Sequence, residues 1–198
     1  MIKFKNLSND QPYQIFHNYY LKASKKNQDS IEAISISSYD KSTNQVDSRY
    51  VNLKYIFNNE WVFFSNYNSS KAYQFASHNQ ISALLYWNKI NLQIRLKAEI
   101  YITSKDISDN HFKERDIKKN AISISSNQSK RINSFTEIED NYEKQLSMNN
   151  NLDRPNYWGG YSFVPYYFEF WEGGEYRLNK RNVFKFNEGA WEQYYLQP

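Results

Sequence analysis

The chain has 198 residues, of which 40% are hydrophobic and 18% aromatic, a balance typical of a globular protein with a sizeable core. It contains no cysteine, which excludes disulfides, iron–sulfur clusters and thiolate catalysis, and its three histidines are too scattered to predict a metal site. The formal net charge is +4, but the basic residues are spread singly, which argues against a nucleic-acid partner.

The first part of the chain predicts one helix followed by strands. Residues 1–14 lack the apolar stretch of a signal peptide, and no segment reaches membrane-spanning length, so we expect a soluble, cytoplasmic protein without a membrane partner. Residues 12–26 place apolar side chains at helical spacing, with Pro12 in the first turn, and predict a helix. Ser69 or Ser70 is placed to cap a second helix that ends near His78. Predicted strands are 33–38, 49–55, 61–65 and 81–87, the first two forming a hairpin.

The clearest periodic signal lies at residues 92–102, where apolar and polar side chains alternate over eleven positions and predict a long strand with one buried face. Beyond it we predict helices at 106–119 and 135–148, a polar loop at 123–134, a connection at 149–160, and closing strands at 161–171, 183–186 and 191–196. Strands outnumber helices, so we expect an α+β fold, mainly antiparallel β, whose sheet is long enough to close into a barrel. Residues 1–198 are predicted to form a single domain.

Two polar segments could bind an anion. Residues 66–71 (NYNSSK) combine hydroxyls with Lys71 at the start of a helix, where free backbone N–H groups favour negative charge. Gln128 and Ser129 lie in a polar loop that suits a phosphate or the edge of a ring, although each segment could equally be an ordinary turn or loop. Arg49, Lys54 and Arg115 follow strand ends or turns, and singly each is most simply a surface charge.

Residues 169–181 (EFWEGGEYRLNKR) are more unusual. Trp171 precedes a Gly-Gly turn, and Arg177 and Arg181 follow it four residues apart, an arrangement that could stack on and hold a flat anionic ligand. A plain hairpin turn with exposed arginines explains the glycines but not the tryptophan. The chain has no GxSxG, GxGxxG or GxxxxGK[ST] motif, so a cofactor is expected to carry any redox chemistry.

Several motifs, in order along nearly the whole chain, resemble the pyridoxine/pyridoxamine 5′-phosphate oxidase family. They include RYVNLK at 49–54, VFFSNYNSSKA at 62–72, LQIRLKAEI at 92–100 and RPNYWGGYSFVP at 154–165, together with EFWEGGEYRLNKR at 169–181. The resemblance implies a split β-barrel with peripheral helices that binds flavin mononucleotide (FMN) at the interface of a homodimer. It also implies a small phosphorylated substrate.

Carried over residue by residue, the resemblance implies FMN contacts along three strands, a helix start, a loop and the C-terminal segment. These residues are Arg49, Tyr50, Val51, Asn52, Leu53, Lys54, Phe64, Ser65, Ser70, Lys71, Gln93, Gln128, Ser129, Trp171 and Arg181. Arg49 and Lys71 are the expected phosphate partners. Ser70 stands where the family usually has Arg, and Phe64 where it often has Tyr, so FMN binding is expected to be weakened but not lost.

On the substrate side, the resemblance implies contacts from Lys54, His111, Arg115, Lys119, Arg177 and Asn179, with Arg177 and Asn179 at the catalytic end. Three of these positions depart from the family pattern. His111 replaces a usual Tyr and Lys119 a usual Ser, and both still donate hydrogen bonds to a phosphate. Asn179 replaces a usual His and cannot take up a proton.

Three functions remain open at this point. The first is oxidation of pyridoxamine or pyridoxine 5′-phosphate to pyridoxal 5′-phosphate with oxygen as acceptor. The second keeps the fold but changes the substrate to a phenazine precursor, with which Ser70 and Leu92 are compatible and the cations Lys54 and Arg115 are not. The third is a flavin- or pyridoxal-phosphate-binding protein without turnover, for which Asn179 is the main support.

Overall fold

The computed structural model describes residues 1–148 and 153–198, which form ten strands and five helices. The strands are β1 (Lys3–Lys5), β2 (Ala33–Asp40), β3 (Gln45–Asn52), β4 (Tyr55–Phe57), β5 (Glu60–Asn66), β6 (Gln80–Trp87), β7 (Leu92–Ile102), β8 (Trp158–Glu172), β9 (Lys180–Asn187) and β10 (Ala190–Leu196). The helices are α1 (Gln11–Lys25), α2 (Ser70–Ser77), α3 (Lys105–Glu114), α4 (Ile117–Ser125) and α5 (Thr136–Ser147).

One sheet contains all these strands, in the order β1-β4-β5-β8-β7-β6-β2-β3, with β9 and β10 continuing from β8. The pairs are antiparallel except β1 with β4. The sheet turns back on itself at Leu53 and Lys54, between β3 and β4. The Leu53 N–H donates to Glu32 O beside β2, whereas the Lys54 N–H donates to Val62 O on β5. The chain thus leaves one edge of the sheet and joins the other, which closes a barrel that stays split between β3 and β5.

The barrel interior follows from period-two patterning. Alternate residues of β7 from Leu92 to Ile100 are buried, and β6 repeats the alternation from Ile81 to Trp87. Helix α1 covers one end of this core with its buried face. The ring of Phe16 lies 4.4 Å from the ring of Trp61 and 5.5 Å from that of Trp87. Aromatic burial of this kind supplies much of the packing free energy in a barrel of this size.

Most predicted elements are confirmed. Helix α1, the hairpin β2–β3, strands β5 to β7 and helix α5 lie within a few residues of their expected bounds, and so do the three closing strands. Ser69 is the residue that precedes α2, and His78 follows it, as predicted. The described residues form no helix both long enough and apolar enough to cross a membrane.

Four boundaries were wrong. The predicted strand 49–55 is broken, because the chain changes partner strands at Leu53 and Lys54. The predicted helix 106–119 is two helices, separated where the Asp116 side chain accepts from the Lys118 N–H and starts α4. That helix also occupies the first residues of the predicted loop, to Ser125. In the predicted connection 149–160, Trp158 to Gly160 already belong to β8, and residues 149–152 lie outside the described residues.

Candidate functional site

A cleft lies at the split of the barrel, between β3 and β5 and beneath α3 and α4. Two adjoining cavities of about 290 Å³ and 260 Å³ share five lining residues, so we treat them as one cleft. Its residues are Tyr50, Val51, Asn52, Lys54, Phe64, Ser65, Asn66, Lys71, His111, Arg115, Lys119, Ile122, Ser123, Ser126, Gln128 and Trp158. Eleven of the predicted site residues are therefore brought together by one chain.

Lys71 lies on the first turn of α2 at one end of the cleft. Only 8% of the residue is exposed, and its Nζ donates to Ser65 Oγ and Ser69 Oγ, each at 3.2 Å. Burial lowers the pKa of Lys71, and the nearby charge of Arg49 lowers it further. The nearest acidic group, Asp47, is paired with Arg49 instead at 2.7 Å. A buried ammonium group whose hydrogen-bond partners are hydroxyls is well suited to meet an anionic ligand.

Arg49 stands behind Lys71 rather than in the cleft lining. Its guanidinium donates to Ser38 Oγ at 2.6 Å, to Gln74 Oε1 at 2.7 Å and to the backbone oxygen of Ile36 at 3.2 Å. Together with the Asp47 ion pair, these bonds fix the guanidinium against β2 and α2. Arg49 therefore adds positive potential at this end of the cleft while it ties the middle of α2 to the sheet.

An aromatic wall crosses the middle of the cleft. The ring of Phe64 stacks on His111 at 3.8 Å and 10°, and on Trp158 at 5.4 Å and 12°. The guanidinium carbon of Arg115 lies 5.0 Å from the centre of the Trp158 ring, a cation–π contact that continues the stack. Such a wall offers flat apolar surface to a planar ligand, and it joins β5, β8 and α3 into one rigid unit.

A second group of cations lines the same cleft as Lys71. Lys54, Arg115 and Lys119 line the same cavity. Burial lowers the pKa of Lys54, and the charges of Lys119 and Arg115 lower it further although Glu32 opposes them. The guanidinium of Arg115 donates to Lys119 O and Ser123 Oγ, each at 2.7 Å, which fixes it across the α3–α4 junction. Two cations that destabilise the charge of a third, half-buried one favour an anion beside it.

His111 is held at the edge of this second group. Its Nδ1 lies 2.8 Å from the hydroxyl of Tyr55. Burial lowers the pKa of His111 to about 4, and the charges of Arg115 and Lys54 act in the same direction. The imidazole is therefore neutral at physiological pH, so at this position it donates a hydrogen bond without adding a charge.

The C-terminal part of the predicted site lies elsewhere on the chain. Gln93, Trp171 and Arg181 are direct partners on β7, β8 and β9, so their side chains form a row on one face. This is the outer face, because Leu92 and Ile94 on either side of Gln93 are buried in the core. Trp171 is thirteen positions along β8 from Trp158 in the cleft, about 40 Å of strand. One chain alone does not bring this row to its own cleft.

Arg181 in this row is anchored by a buried carboxylate. Glu169 is 1% exposed and accepts from Arg181 Nε and Arg95 Nη1, each at 2.8 Å, and from the Tyr167 hydroxyl at 3.0 Å. Burial by itself raises the pKa of Glu169, but these bonds and charges outweigh it and hold the pKa below its usual range. The ionised Glu169 therefore sets the direction of the Arg181 side chain.

The loop that carries Arg177 and Asn179 projects from the barrel. Tyr176 and Arg177 have φ values of 51° and 66°, a left-handed conformation that is costly for such residues. The conformation is fixed by a bond from the Asn179 N–H to Arg177 O at 2.8 Å, and by Asn179 Oδ1, which accepts from the Gly174 N–H at 3.2 Å. Tyr176 is 99% exposed and Arg177 is exposed beside it.

Three predicted contacts fall outside the cleft lining although they lie near it in sequence. Leu53 is wholly buried in the core, Ser70 is exposed on the first turn of α2, and Ser129 is exposed with a φ of 70°. Sequence reasoning missed Trp158 and Tyr55, which lie directly beside residues it identified. Trp158 lies in the segment RPNYWGGYSFVP, which was used as a family motif and as the end of a connection but gave no predicted contact, and Tyr55 follows Lys54.

The chain is similar in sequence to a known family of proteins. The sequence model of the pyridoxine 5′-phosphate oxidase C-terminal dimerisation region matches residues 158–198, which include β8, β9, β10 and the Arg177 loop. The pyridoxine/pyridoxamine 5′-phosphate oxidase of Colwellia psychrerythraea is 32% identical over 96% of this chain and 88% of its own length. The enzyme of the same name from Synechocystis is 29% identical over 96% and 89%.

Two solved structures have the same fold. PhzG from Burkholderia lata, in complex with tetrahydrophenazine-1-carboxylic acid, superposes with a TM-score of 0.90 at 22% identity, over 94% of this chain and 92% of its own. A pyridoxamine 5′-phosphate oxidase-related, FMN-binding protein from Nostoc punctiforme gives a TM-score of 0.77 at 12% identity, over 96% and 100%. The likeness confirms the predicted split barrel with peripheral helices.

Proposed function

The chain belongs to the pyridoxine/pyridoxamine 5′-phosphate oxidase family, and on that premise we propose that it oxidises pyridoxamine and pyridoxine 5′-phosphates to pyridoxal 5′-phosphate with bound FMN. The observation that carries this proposal is one cleft that contains two groups of cations and a stack of aromatic rings. Lys71 and Arg49 lie at one end and Lys54, Arg115 and Lys119 at the other. Two anionic groups, one on the cofactor and one on the substrate, match this division.

The residues at the Lys71 end fit the phosphate of FMN. Lys71 is buried with hydroxyl partners, and it lies at the start of α2, where unpaired backbone N–H groups also favour an anion. Ser65, Gln128 and the exposed strand Tyr50–Asn52 supply polar groups along the remainder of the cleft. When bound, FMN supplies the two-electron acceptor that the side chains of this chain lack.

We propose that the site is completed by a second copy of the chain, with FMN at the interface. The cleft is open, and the row Gln93–Trp171–Arg181 with the Arg177 loop faces outward from the same subunit. That outer region carries exposed apolar side chains, among them Tyr176 at 99% and Leu178 at 78%. In a homodimer, the row and loop of one copy would cover the cleft of the other, which fits the dimerisation region that matches residues 158–198.

The second cationic end is proposed to bind the substrate's phosphate. Lys54, Arg115 and Lys119 provide the charge, and His111 provides a neutral donor. Arg177 and Asn179 from the other copy would lie against the substrate's reacting end, with Arg177 orienting it. Acceleration would come from fixing the substrate ring parallel to the cofactor, because the described lining of the cleft contains no carboxylate and its histidine has a pKa of about 4.

The proposal is tested by turnover in air. With pyridoxine 5′-phosphate, each oxygen consumed should yield one pyridoxal 5′-phosphate and one hydrogen peroxide. With pyridoxamine 5′-phosphate, one water is also consumed and one ammonia is released. Unphosphorylated pyridoxamine should react far more slowly, since the Lys54 end then has no anion to bind. Equal rates with and without the phosphate would refute the role of that end.

A second candidate substrate is a tricyclic phenazine precursor, the kind of ligand named for the structural neighbour PhzG. Ser70 is compatible with it, although the first turn of α2 lies at the end of the cleft proposed for the phosphate of FMN and not at the substrate end. Lys54 and Arg115 count against it, because burial lowers the pKa of both, and a dianionic phosphate offsets the cost of burying them better than the single carboxylate of such a precursor does. Faster turnover with such a precursor than with pyridoxamine 5′-phosphate would establish this alternative.

A third candidate is binding of FMN or pyridoxal 5′-phosphate without turnover. The observation that favours it is the role of Asn179, whose side chain accepts from the Gly174 N–H and so braces the loop. Asn179→His restores the family's usual residue. If the protein is a binder that lost turnover at this position, the substitution should create oxidation where the natural chain shows none. If the natural chain already turns over, the substitution should change only its rate or pH profile.

A further inference from the structure

We propose that Tyr55 is a positioning residue that fixes the proton of His111 on Nε2, so that His111 donates a hydrogen bond to the anion bound at the Lys54 end. The inference rests on the proposed function for the identity of that anion, a substrate phosphate. It concerns a pair of side chains on this chain alone, and it assigns to Tyr55 a role that the sequence motifs do not.

Tyr55 is held firmly enough to orient a neighbour. It is 6% exposed, and its ring stacks on Phe57 at 5.0 Å and 16°. The Nζ of Lys3 lies 5.6 Å from the centre of the same ring. With the ring fixed in this way, the hydroxyl reaches His111 Nδ1 at 2.8 Å, and the two rings meet edge to face at 88°. Little side-chain freedom remains for the hydroxyl to bond elsewhere.

The direction of this hydrogen bond decides the chemistry of the imidazole. A phenol is a much stronger acid than a neutral imidazole N–H, so the favoured arrangement has Tyr55 donating and Nδ1 accepting. Burial raises the pKa of Tyr55, which keeps the phenol protonated, while burial keeps His111 neutral. A neutral imidazole that accepts at Nδ1 must carry its proton on Nε2.

The position of His111 makes that proton useful. His111 lines the cleft together with Lys54 and Arg115, and it also lines a small outer cavity of about 80 Å³ that Tyr55 shares. Tyr55 itself is absent from the described lining of the cleft. The Nδ1 atom of His111 is therefore bonded to a residue outside that lining, and Nε2 is the polar atom of the ring that remains for a ligand. Stacking on Phe64 at 3.8 Å keeps the ring plane fixed.

The opposite tautomer would work against an anion. With the proton on Nδ1, the lone pair of Nε2 would face the bound phosphate and repel it. By fixing the tautomer, Tyr55 therefore makes His111 a hydrogen-bond donor to the anion and not an acceptor. It does so without adding a charge beside Lys54 and Arg115. Positioning through a fixed tautomer is the same device that orients histidines in metal sites.

The test measures the tautomer directly, on FMN-loaded protein labelled with ¹⁵N in histidine and titrated with inorganic phosphate. The natural chain should show His111 protonated on Nε2, and phosphate should shift that resonance. In Tyr55→Phe, which keeps the ring and its stacking, the tautomers should mix. Phosphate affinity should fall about fivefold, the effect of one neutral hydrogen bond. Tyr39→Phe is the matched control, because its hydroxyl bonds only Asn44 at the surface, at 2.7 Å.

Two results would overturn the inference: a proton on Nδ1 in the natural chain, or unchanged phosphate affinity in Tyr55→Phe. Neither depends on turnover, because the probe is phosphate and the readout is a resonance. If the resonances behave as expected but pyridoxamine 5′-phosphate is not oxidised, the proposed function fails and the role of Tyr55 at the anion site stands. If oxidation occurs but the tautomer is the opposite one, only the inference fails.

Discussion

The Nζ of Lys71 lies 3.2 Å from the Oγ of Ser65, and this hydrogen bond joins the first turn of α2 to the end of β5. Because Lys71 is 8% exposed and bonded to hydroxyls, its charge is desolvated in the absence of an anion. The buried charge of Lys71 therefore destabilises the folded protein, and binding of a phosphate would relieve this destabilisation. The same residue thus connects fold stability with cofactor affinity.

Lys71→Met should separate these two quantities. FMN affinity should fall about tenfold or more, the effect of losing a charge-assisted hydrogen bond. The free energy of unfolding of the FMN-free protein should stay equal or rise, because the buried charge is gone. Fluorescence titration with FMN and urea unfolding check the two parts. Lys89→Met, at an exposed turn, is the control, and equal FMN affinity in both variants would contradict the assignment.

Ser70→Arg should strengthen FMN binding. Ser70 is exposed on the first turn of α2, beside Lys71, so a guanidinium there can reach an anion held at the helix start. One added charge-assisted bond should tighten binding about tenfold. Ala76→Arg adds the same charge in the last turn of α2 and should leave FMN affinity nearly unchanged. Equal effects of the two variants would show that only net charge matters.

Stability should depend on pH through His111. Its pKa in the folded protein is about 4, below the usual value of 6.5, because of burial and the charges of Arg115, Lys54 and Lys3, which Glu114 partly opposes. Between these two values the unfolded chain binds a proton that the folded chain does not. Stability should therefore fall as pH drops from 6.5 towards 4, and no further below that.

His111→Tyr, which introduces the residue usual in the family, should remove this contribution. Urea unfolding at pH 7 and pH 5 should show a smaller loss of stability for the variant than for the natural chain. His17→Tyr on helix α1 makes the same exchange of residues outside the described lining of the cleft and serves as the control. A loss for His111→Tyr as large as that of the natural chain would contradict the neutral, buried state of the imidazole.

The fold was largely predictable because its signals are local. Strand β7 was predicted with its observed bounds, since alternation over eleven residues reports a sheet with one buried face. What failed depends on distant partners. Strand β1 has only three residues and forms by pairing with β4, more than fifty residues away. Strand β8 extends back to Trp158 because Gly159 and Gly160 let Tyr67 and Thr103 pack closely, where a Cβ would overlap them.

Most residues that line the cleft were identified by resemblance and not from the physical chemistry of the residues alone. Lys71 could be suspected from its helix start, whereas its burial and its Ser65 bond are tertiary facts. Tyr55 gave no signal, because its partner His111 is 56 residues away. The division of the predicted contacts between the cleft and the outer row of Gln93, Trp171 and Arg181 is equally invisible in the sequence.

That division makes a prediction for mixed dimers. Lys54→Met impairs the cleft and Arg177→Ala impairs the loop, so each variant alone should turn over slowly, with FMN still bound. After subunit exchange, half of the dimers contain one chain of each kind, and one of their two sites is intact. Activity should recover to about a quarter of the natural level if sites are shared between copies. If the activity of the mixture does not exceed the summed activities of the two separate variants, each site lies within one chain.

The most direct measurement is an anaerobic titration of the FMN-loaded protein with pyridoxamine 5′-phosphate, followed by the visible absorbance of the oxidised flavin. We expect the absorbance to fall in proportion to the substrate added and to return when air is admitted, with pyridoxal 5′-phosphate as the product. A flavin that keeps its oxidised spectrum at saturating substrate would contradict the proposed oxidation.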